Sequence, residues 1–148
     1  MVNIEQIKKL REETAVSIAD CKKALEEAGG NLDKAKEILQ EKGKKMADKK
    51  ASRGTEQGII ESYIHNNRKI GVLLELLCET DFVAKSEQFQ SLAHELCLQI
   101  AGFAEETPLL EQPWIKDQSK TIGDLVKENI AQLGENITVK RFTRYEIN

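Results

Sequence analysis

Hydrophobic positions along the chain first change their spacing a little over a third of the way along. Before that point they recur at the three- and four-residue spacing of amphipathic helices, in three short blocks. The blocks are Ile4, Ile7 and Leu10; Ile18, Cys21, Ala24, Leu25 and Ala28; and Leu32, Ala35, Ile38 and Leu39. Ser17 and Asp20 resemble a capping box, Gly29-Gly30 suits a helix end, and Asn31 suits the next helix start. The pattern predicts a small three-helix module over residues 1–41, whose thin core leaves no room for a cleft and favours a docking role.

After that point hydrophobic and polar positions alternate, as they do in half-buried β-strands. The predicted elements are strands over 58–65 and 70–78, a helix from Asp81, a helix from about Ser119 to Leu133, and a third strand over 137–147. The polar turn 66–69 joins the first two strands into an antiparallel hairpin, and Pro108 and Pro113 end the first helix. Residues 56–148 are therefore predicted to form an α+β core, a three-stranded antiparallel sheet covered by helices.

Charge separates these two parts of the chain. The segment Lys42–Arg53 carries six basic side chains and one acidic one and offers almost nothing to bury. We interpret residues 42–55 as a basic linker, either an exposed helical extension or a solvated coil. A contact with nucleic acid is the alternative interpretation of the segment, but no aromatic side chain is interleaved with the charges. No direct nucleic-acid contact is expected.

Composition narrows the classes of function. Of 148 residues, 40% are hydrophobic and 32% are charged, which is typical of a globular protein. No apolar run is long enough for a membrane span, and the N-terminus lacks the pattern of a secretory signal, so a cytoplasmic protein is expected. Three irregularly spaced cysteines and two histidines predict reduced thiols, no metal or cofactor, and no enzymatic active site. Cys78 with His65 or His94 is the one imaginable nucleophile and base, but Cys78 lies in an apolar stripe, which favours a core residue.

The junction between the second strand and the following helix holds the most distinctive residues. Thr80 or Asp81 can cap the helix, and a carboxylate at that position is favoured by the helix dipole. Phe82 follows in the first turn, seven residues before Phe89 and roughly in line with the buried stripe. Two interpretations stay open from the pattern alone. Phe82 is either the edge of the core or a protruding aromatic that enters a pocket on a partner.

Three motifs, in order, resemble one known family. The run Thr80-Asp81-Phe82-Val83-Ala84 resembles the signature of bacterial translation elongation factor Ts. Leu10-Arg11-Glu12-Glu13-Thr14, followed by Asp20-Cys21-Lys22-Lys23-Ala24-Leu25, resembles the N-terminal module of that family, which has a ubiquitin-associated-like three-helix fold. Gly134-Glu135-Asn136-Ile137 and Arg141-Phe142 resemble the end of its core subdomain. One departure is Ala15–Ala19, where the family commonly has a glycine- and methionine-rich run.

The resemblance implies guanine nucleotide exchange on elongation factor Tu, without covalent chemistry and therefore without an enzyme activity. The module would dock on the G domain through Leu10, Arg11 and Thr14, and residues Thr80–Ala84 would form the exchange site. Phe82 would wedge into the G domain, and Asp81 would disturb the magnesium and phosphate site. Long members of the family have a second core subdomain that has no room here, and short members pair two copies. A homodimer through the surface of the core sheet or through its edge is therefore expected.

A binding module that causes no exchange is the alternative function. In that case the three-helix unit would hold a peptide or a ubiquitin-like partner, and the core would serve only as a scaffold for dimerisation.

Overall fold

The computed structural model describes residues 2–103 and 106–148. The chain divides into two compact units, Met1–Met46 and Ala47–Asn148. The first contains helices, and the second combines helices with a three-stranded antiparallel sheet. The predicted α+β class, with three helices at the N-terminus, is confirmed.

Three helices make up the first unit and lead into the second. They are α1 (Ile4–Thr14), α2 (Ile18–Glu27) and α3 (Leu32–Lys50). The first core consists of the buried residues Leu10, Cys21, Ala24, Leu25, Ala35 and Leu39. The Ser17 hydroxyl accepts from the Asp20 amide, Asn31 accepts from the Lys34 amide, and Gly29 and Gly30 have positive φ. The basic segment is helical as far as Lys50, because α3 continues to that residue.

The sheet of the second unit has the strand order β1-β2-β5, and all neighbours are antiparallel. Its strands are β1 (Gln57–Ile64), β2 (Ile70–Cys78) and β5 (Thr138–Glu146). Alternate residues of β2 are buried under the helices: Val72, Leu74, Leu76 and Cys78. Gly58 on β1 has no space for a side chain, since an added Cβ would lie 2.1 Å from the Leu76 carbonyl oxygen. The predicted hairpin and third strand are confirmed.

The helices of the second unit are α4 (Asp81–Ala84), α5 (Glu87–Gly102) and α6 (Ile122–Leu133), with a short 3-10 helix at Leu109–Glu111. The predicted start of α6 at Ser119 is wrong, because residues 117–121 form a strand. Strands β3 (Pro113–Trp114) and β4 (Asp117–Thr121) pair as a small second sheet. Thr121 then caps α6 through a reciprocal pair of hydrogen bonds with Asp124, which sets the helix start at Ile122.

A buried amide network attaches this small sheet to α5. The side chain of Gln99 is fully buried, and its Nε2 donates to Gln112 Oε1 at 3.0 Å and to the Pro113 carbonyl at 3.1 Å. Its Oε1 accepts from the Ile115 amide at 2.9 Å. Gln112 donates in turn to the Thr107 carbonyl. The network satisfies polar groups that would be costly to bury unpaired, and it fixes the loop that the prolines interrupt.

The described residues contain neither a membrane-spanning helix nor a cluster of metal ligands. Within residues 2–103 and 106–148, no helix is both long and apolar enough to cross a membrane. The same ranges contain no cluster of three His, Cys, Asp or Glu side chains able to hold a metal ion.

Candidate functional site

Helix α4 begins two residues after β2 ends, and Thr80 is its cap. The backbone of Thr80 is extended, and its hydroxyl accepts from the Val83 amide at 3.3 Å. Of the two candidate caps, Thr80 therefore has that role. Asp81 is the first helical residue, and its carboxylate lies 3.3 Å from Lys85 Nζ at the surface. A carboxylate at this end of a helix interacts favourably with the free backbone amides.

The five residues Thr80–Ala84 divide between the surface and the core. Phe82 has 85% of its surface exposed, and Thr80 and Asp81 are exposed beside it. Val83 and Ala84 are buried and belong to the core of the second unit. An exposed aromatic side chain of this size is uncommon, and here two buried neighbours anchor it. Val83 and Ala84 hold the helix in place and are not available for direct contact with a partner.

A break in the helix explains why Phe82 does not follow the buried stripe to Phe89. Helix α4 ends at Ala84, and Ser86 caps α5 by accepting from the Phe89 amide at 3.2 Å. The Ser86 hydroxyl also donates to the Val83 carbonyl at 2.7 Å. Because the two phenylalanines are on different helices, a seven-residue spacing does not place them on one face. Phe89 is fully buried.

A turn far along the chain contacts the start of α4. Glu135, in the turn between α6 and β5, accepts hydrogen bonds from the backbone of Glu79 and from Thr80. Beneath the same turn, the Cys78 thiol donates to the Thr80 carbonyl at 3.1 Å. Burial and the negative charge of Glu135 raise the pKa of Cys78. In the sequence, Glu135 stands out only as part of the Gly134–Ile137 motif that resembles the family. Its role at α4 is not visible there, because Thr80, which it contacts, lies 55 residues earlier.

The predicted docking residues of α1 are not all at the surface. Leu10 is 0% exposed and lies in the core of the first unit. The Leu10 side chain is therefore not at the surface of this chain, because it lies on the buried stripe of α1, and its docking role stays a prediction. Arg11 is exposed, and the partly buried Thr14 donates to the Leu10 carbonyl at 2.7 Å. Arg11 is the one of the three whose side chain extends into solvent.

The thiol and imidazole groups do not form a reactive site. All three cysteines are buried. Burial raises the pKa of Cys97 to about 12, so the thiol stays protonated and is a poor nucleophile. His94 is exposed on α5, and the Nδ1 of His65 is 2.8 Å from the hydroxyl of Tyr63.

Comparison with known proteins identifies the family. The family model described as Elongation factor TS matches residues 79–148, a range that contains both α4 and the Glu135 turn. A relative named Elongation factor Ts from Coprothermobacter proteolyticus is 42% identical over 193 aligned positions, covering 99% of this chain and 98% of its own. The chain belongs to the elongation factor Ts family. It is therefore a translation elongation factor.

Two other relatives of the same name have nearly the same sequence identity to this chain. The protein of that name from Oleidesulfovibrio alaskensis is 40% identical over 193 positions, and the one from Thermotoga maritima is 42% identical over 191. Each alignment covers 99% of this chain. The first covers 98% of the Oleidesulfovibrio alaskensis protein, and the second covers 96% of the Thermotoga maritima protein. Since this chain has 148 residues, about 45 of the 193 aligned positions have no residue here. The chain is thus shorter than these relatives, although the alignments run almost from end to end of each.

Proposed function

We propose that this chain promotes release of GDP from elongation factor Tu by inserting the Asp81-Phe82 start of α4 near the magnesium and phosphate site. The observation that carries the proposal is the 85% exposure of Phe82 at a capped and anchored helix start. An apolar ring held out in water gains free energy when a partner covers it. Burial of one phenylalanine is worth about 1.5–3 kcal/mol.

Thermodynamic linkage converts that binding free energy into exchange. If the factor binds the nucleotide-free partner more tightly than the GDP-loaded partner, the affinity for GDP falls by the same ratio. Insertion of Phe82 alone accounts for a factor of about ten to a hundred in that ratio of affinities. The remaining effect comes from Asp81, whose exposed carboxylate enters beside the ring and disturbs the groups that hold magnesium and phosphate. No covalent bond forms or breaks, so the activity is not enzymatic, and its role in translation is cytoplasmic.

The first unit supplies the docking contact in this proposal. Arg11 is exposed on α1 and can pair with an acidic or carbonyl group of the G domain. Leu10 and Thr14 act from inside the unit, where they keep α1 packed and positioned. The unit would raise the local concentration of α4 at its target.

Release of a fluorescent GDP analogue from elongation factor Tu tests the proposal. We expect excess factor to accelerate release, and the Phe82→Ala variant to lose about ten- to a hundredfold of that acceleration. Leu110→Ala is the control, since Leu110 is also an exposed apolar residue but lies in the short 3-10 helix. If the wild-type protein binds without changing the release rate, the proposal is wrong and the chain is a binding module without exchange activity.

We also propose that two copies pair through the outer face of the sheet. That face exposes Ile60, which lies opposite Glu75 across β1 and β2, and Leu73, two residues before Glu75 on β2. Glu75 forms an ion pair with Arg141 of β5 at 2.7 Å. A two-fold axis through this patch would place Glu75 of one copy opposite Arg141 of the other and would cover the apolar side chains. The patch also contains a shallow groove of about 270 Å³ between the strands.

Sedimentation of the protein measures the predicted dimer. We expect a particle of twice 16.7 kDa for the wild type and a monomer for Leu73→Lys, which buries a charge in the interface. Leu110→Lys, the same change at an exposed leucine of the short 3-10 helix, is the control substitution. A wild-type protein that sediments as a monomer at high concentration would rule out pairing.

A further inference from the structure

The turn Gly134–Asn136 connects α6 to β5 and reaches the start of α4. Gly134 ends α6 with a left-handed backbone (φ 76°), a conformation in which most side chains are strained. The chain then reverses, so that Glu135 and Asn136 face residues 79 and 80 at the end of β2. This contact joins two parts of the second unit that lie more than 50 residues apart in sequence.

Both carboxylate oxygens of Glu135 are used. Oε1 accepts from the Glu79 amide at 3.1 Å and from the Thr80 amide at 3.0 Å. Oε2 accepts from the Thr80 hydroxyl at 2.7 Å. Hydrogen bonds to a carboxylate are stronger than those between neutral groups. One side chain therefore satisfies two backbone donors and one hydroxyl immediately before α4.

The direction of the Thr80 hydroxyl follows from this arrangement. The hydroxyl has a single hydrogen, and it points to Glu135. A lone pair is then free to accept from the Val83 amide, which is the capping bond of α4. Glu135 thus sets the hydrogen-bonding direction of the cap as well as the position of its backbone.

The contact is reciprocal. The Asn136 amide donates to Glu79 Oε2 at 2.6 Å, so each segment supplies a carboxylate to the backbone of the other. Arg53 lies 3.7 Å from the same Glu79 oxygen and offsets part of the negative charge. Asn136 Nδ2 donates to the Arg53 carbonyl at 2.8 Å, which ties the residues after α3 to the same turn.

Helix α4 needs this support because it has only four residues. A helix of that length does not form alone, since nucleation is costly and few internal hydrogen bonds repay it. Phe82 adds almost no packing of its own, because it is exposed. The orientation of the ring therefore depends on the buried side chains of Val83 and Ala84 and on the hydrogen bonds at Thr80.

We infer that Glu135 is a positioning residue for nucleotide exchange, whose carboxylate holds Thr80 and thereby presents Phe82 to the partner in one orientation. This inference rests on the proposed function, because it concerns how Phe82 acts. It adds a residue that lies outside the Thr80–Ala84 motif. The same contact keeps the insertion element ordered before a partner arrives, which lowers the entropy cost of insertion.

The test compares Glu135→Ala and Glu135→Gln with the wild type in GDP release from elongation factor Tu, as a function of factor concentration. A positioning role predicts a lower maximal release rate, about ten- to a hundredfold for Glu135→Ala and less for Glu135→Gln, which retains one acceptor oxygen. The concentration for half-maximal effect should change less than threefold, because docking through the first unit is intact. Glu111→Gln, a loss of charge on the exposed 3-10 helix, should change neither quantity.

A second readout separates positioning from loss of folding. Amide hydrogen exchange should speed up at Glu79 and Thr80 in Glu135→Ala, while the amides of α5 stay protected. In a double-mutant cycle, Thr80→Val combined with Glu135→Gln should cost less than the sum of the two single losses, because both substitutions remove the hydrogen bond between the Thr80 hydroxyl and Glu135 Oε2.

The outcomes distinguish the inference from the function on which it rests. If the wild type does not accelerate release, the proposed exchange function is wrong, and the inference fails with it. If the wild type accelerates release, and the folded variants Glu135→Gln and Glu135→Ala reach the same maximal release rate as the wild type, the inference alone is wrong. Additive losses in the double-mutant cycle would also overturn it.

Discussion

Helices α4 and α5 follow one another with only Lys85 and Ser86 between them, yet they are held by different forces. Helix α5 has sixteen residues and eight buried positions, from Phe89 to Ala101. Helix α4 has four residues, two of them buried, and depends on hydrogen bonds from the Glu135 turn. One helix is fixed by burial of its own apolar face, and the other by polar contacts that leave its largest side chain in water.

A protruding aromatic side chain is kept in place when other residues order its backbone. A phenylalanine that is packed contributes to stability but is not available to a partner. A phenylalanine that is exposed is available but cannot order its own backbone. Here the ordering is supplied by Thr80 and Glu135, so the two requirements are met by different residues.

Replacement of each phenylalanine by alanine should give the largest contrast. Phe89→Ala removes a fully buried ring and should lower the free energy of unfolding by about 3–5 kcal/mol. Phe82→Ala removes an exposed ring and should change it by about 0.5 kcal/mol or less. Urea denaturation of both variants measures the difference. A loss above about 2 kcal/mol for Phe82→Ala would mean that the ring packs in solution.

The two helix caps offer a smaller and more specific contrast. Thr80→Ala and Ser86→Ala should each lower the free energy of unfolding by about 1 kcal/mol, because each removes a capping hydrogen bond. Thr80→Ala should lower the maximal rate of GDP release more than Ser86→Ala does, since Thr80 holds the start of α4 beside Phe82, whereas Ser86 bonds to α4 only at the Val83 carbonyl. Denaturation and release assays on the same preparations separate the two effects. Equal loss of release in both variants would indicate that α4 and α5 move as one.

The surface ion pairs of the two helices should contribute least. Asp81 and Lys85 are largely exposed, as is Lys116, which pairs with Glu95 of α5 at 2.5 Å. Lys85→Gln should lower the free energy of unfolding by about 0.5 kcal/mol or less, because water and salt screen exposed charges. The difference from the wild type should disappear in 1 M salt. A difference that persists in high salt would show that Lys85 acts through packing.

Hydrophobic spacing was enough to predict most of the fold. Apolar stripes identify α1, α2 and α5, and alternation identifies β1 and β2, since these elements bury one face. Strand β5 is indicated by its β-branched and aromatic residues instead, and most of it is exposed. The same method misplaced the start of α6. Residues 117–121 are polar, so their pairing with Pro113 and Trp114 leaves no apolar signal.

The candidate site was only partly predictable. Residue type limits the cap of α4 to Thr80 or Asp81, and the structure selects Thr80. The exposure of Phe82 does not follow from the sequence, because spacing alone does not reveal the break before Ser86. The burial of Leu10 follows from its place on the stripe of α1. The contact of Glu135 with Thr80 could not be predicted from the sequence, since a contact between distant residues depends on how β5 returns beside β2.

The burial of Cys21, Cys78 and Cys97 has a practical consequence for measuring how α4 moves. No native thiol competes at the surface, so one introduced by Lys85→Cys would be the single accessible site for a maleimide dye. The label would sit one turn from Phe82, on a side chain that is already exposed. Insertion of α4 into a partner would then be visible as a change in fluorescence, with all three native cysteines left in place.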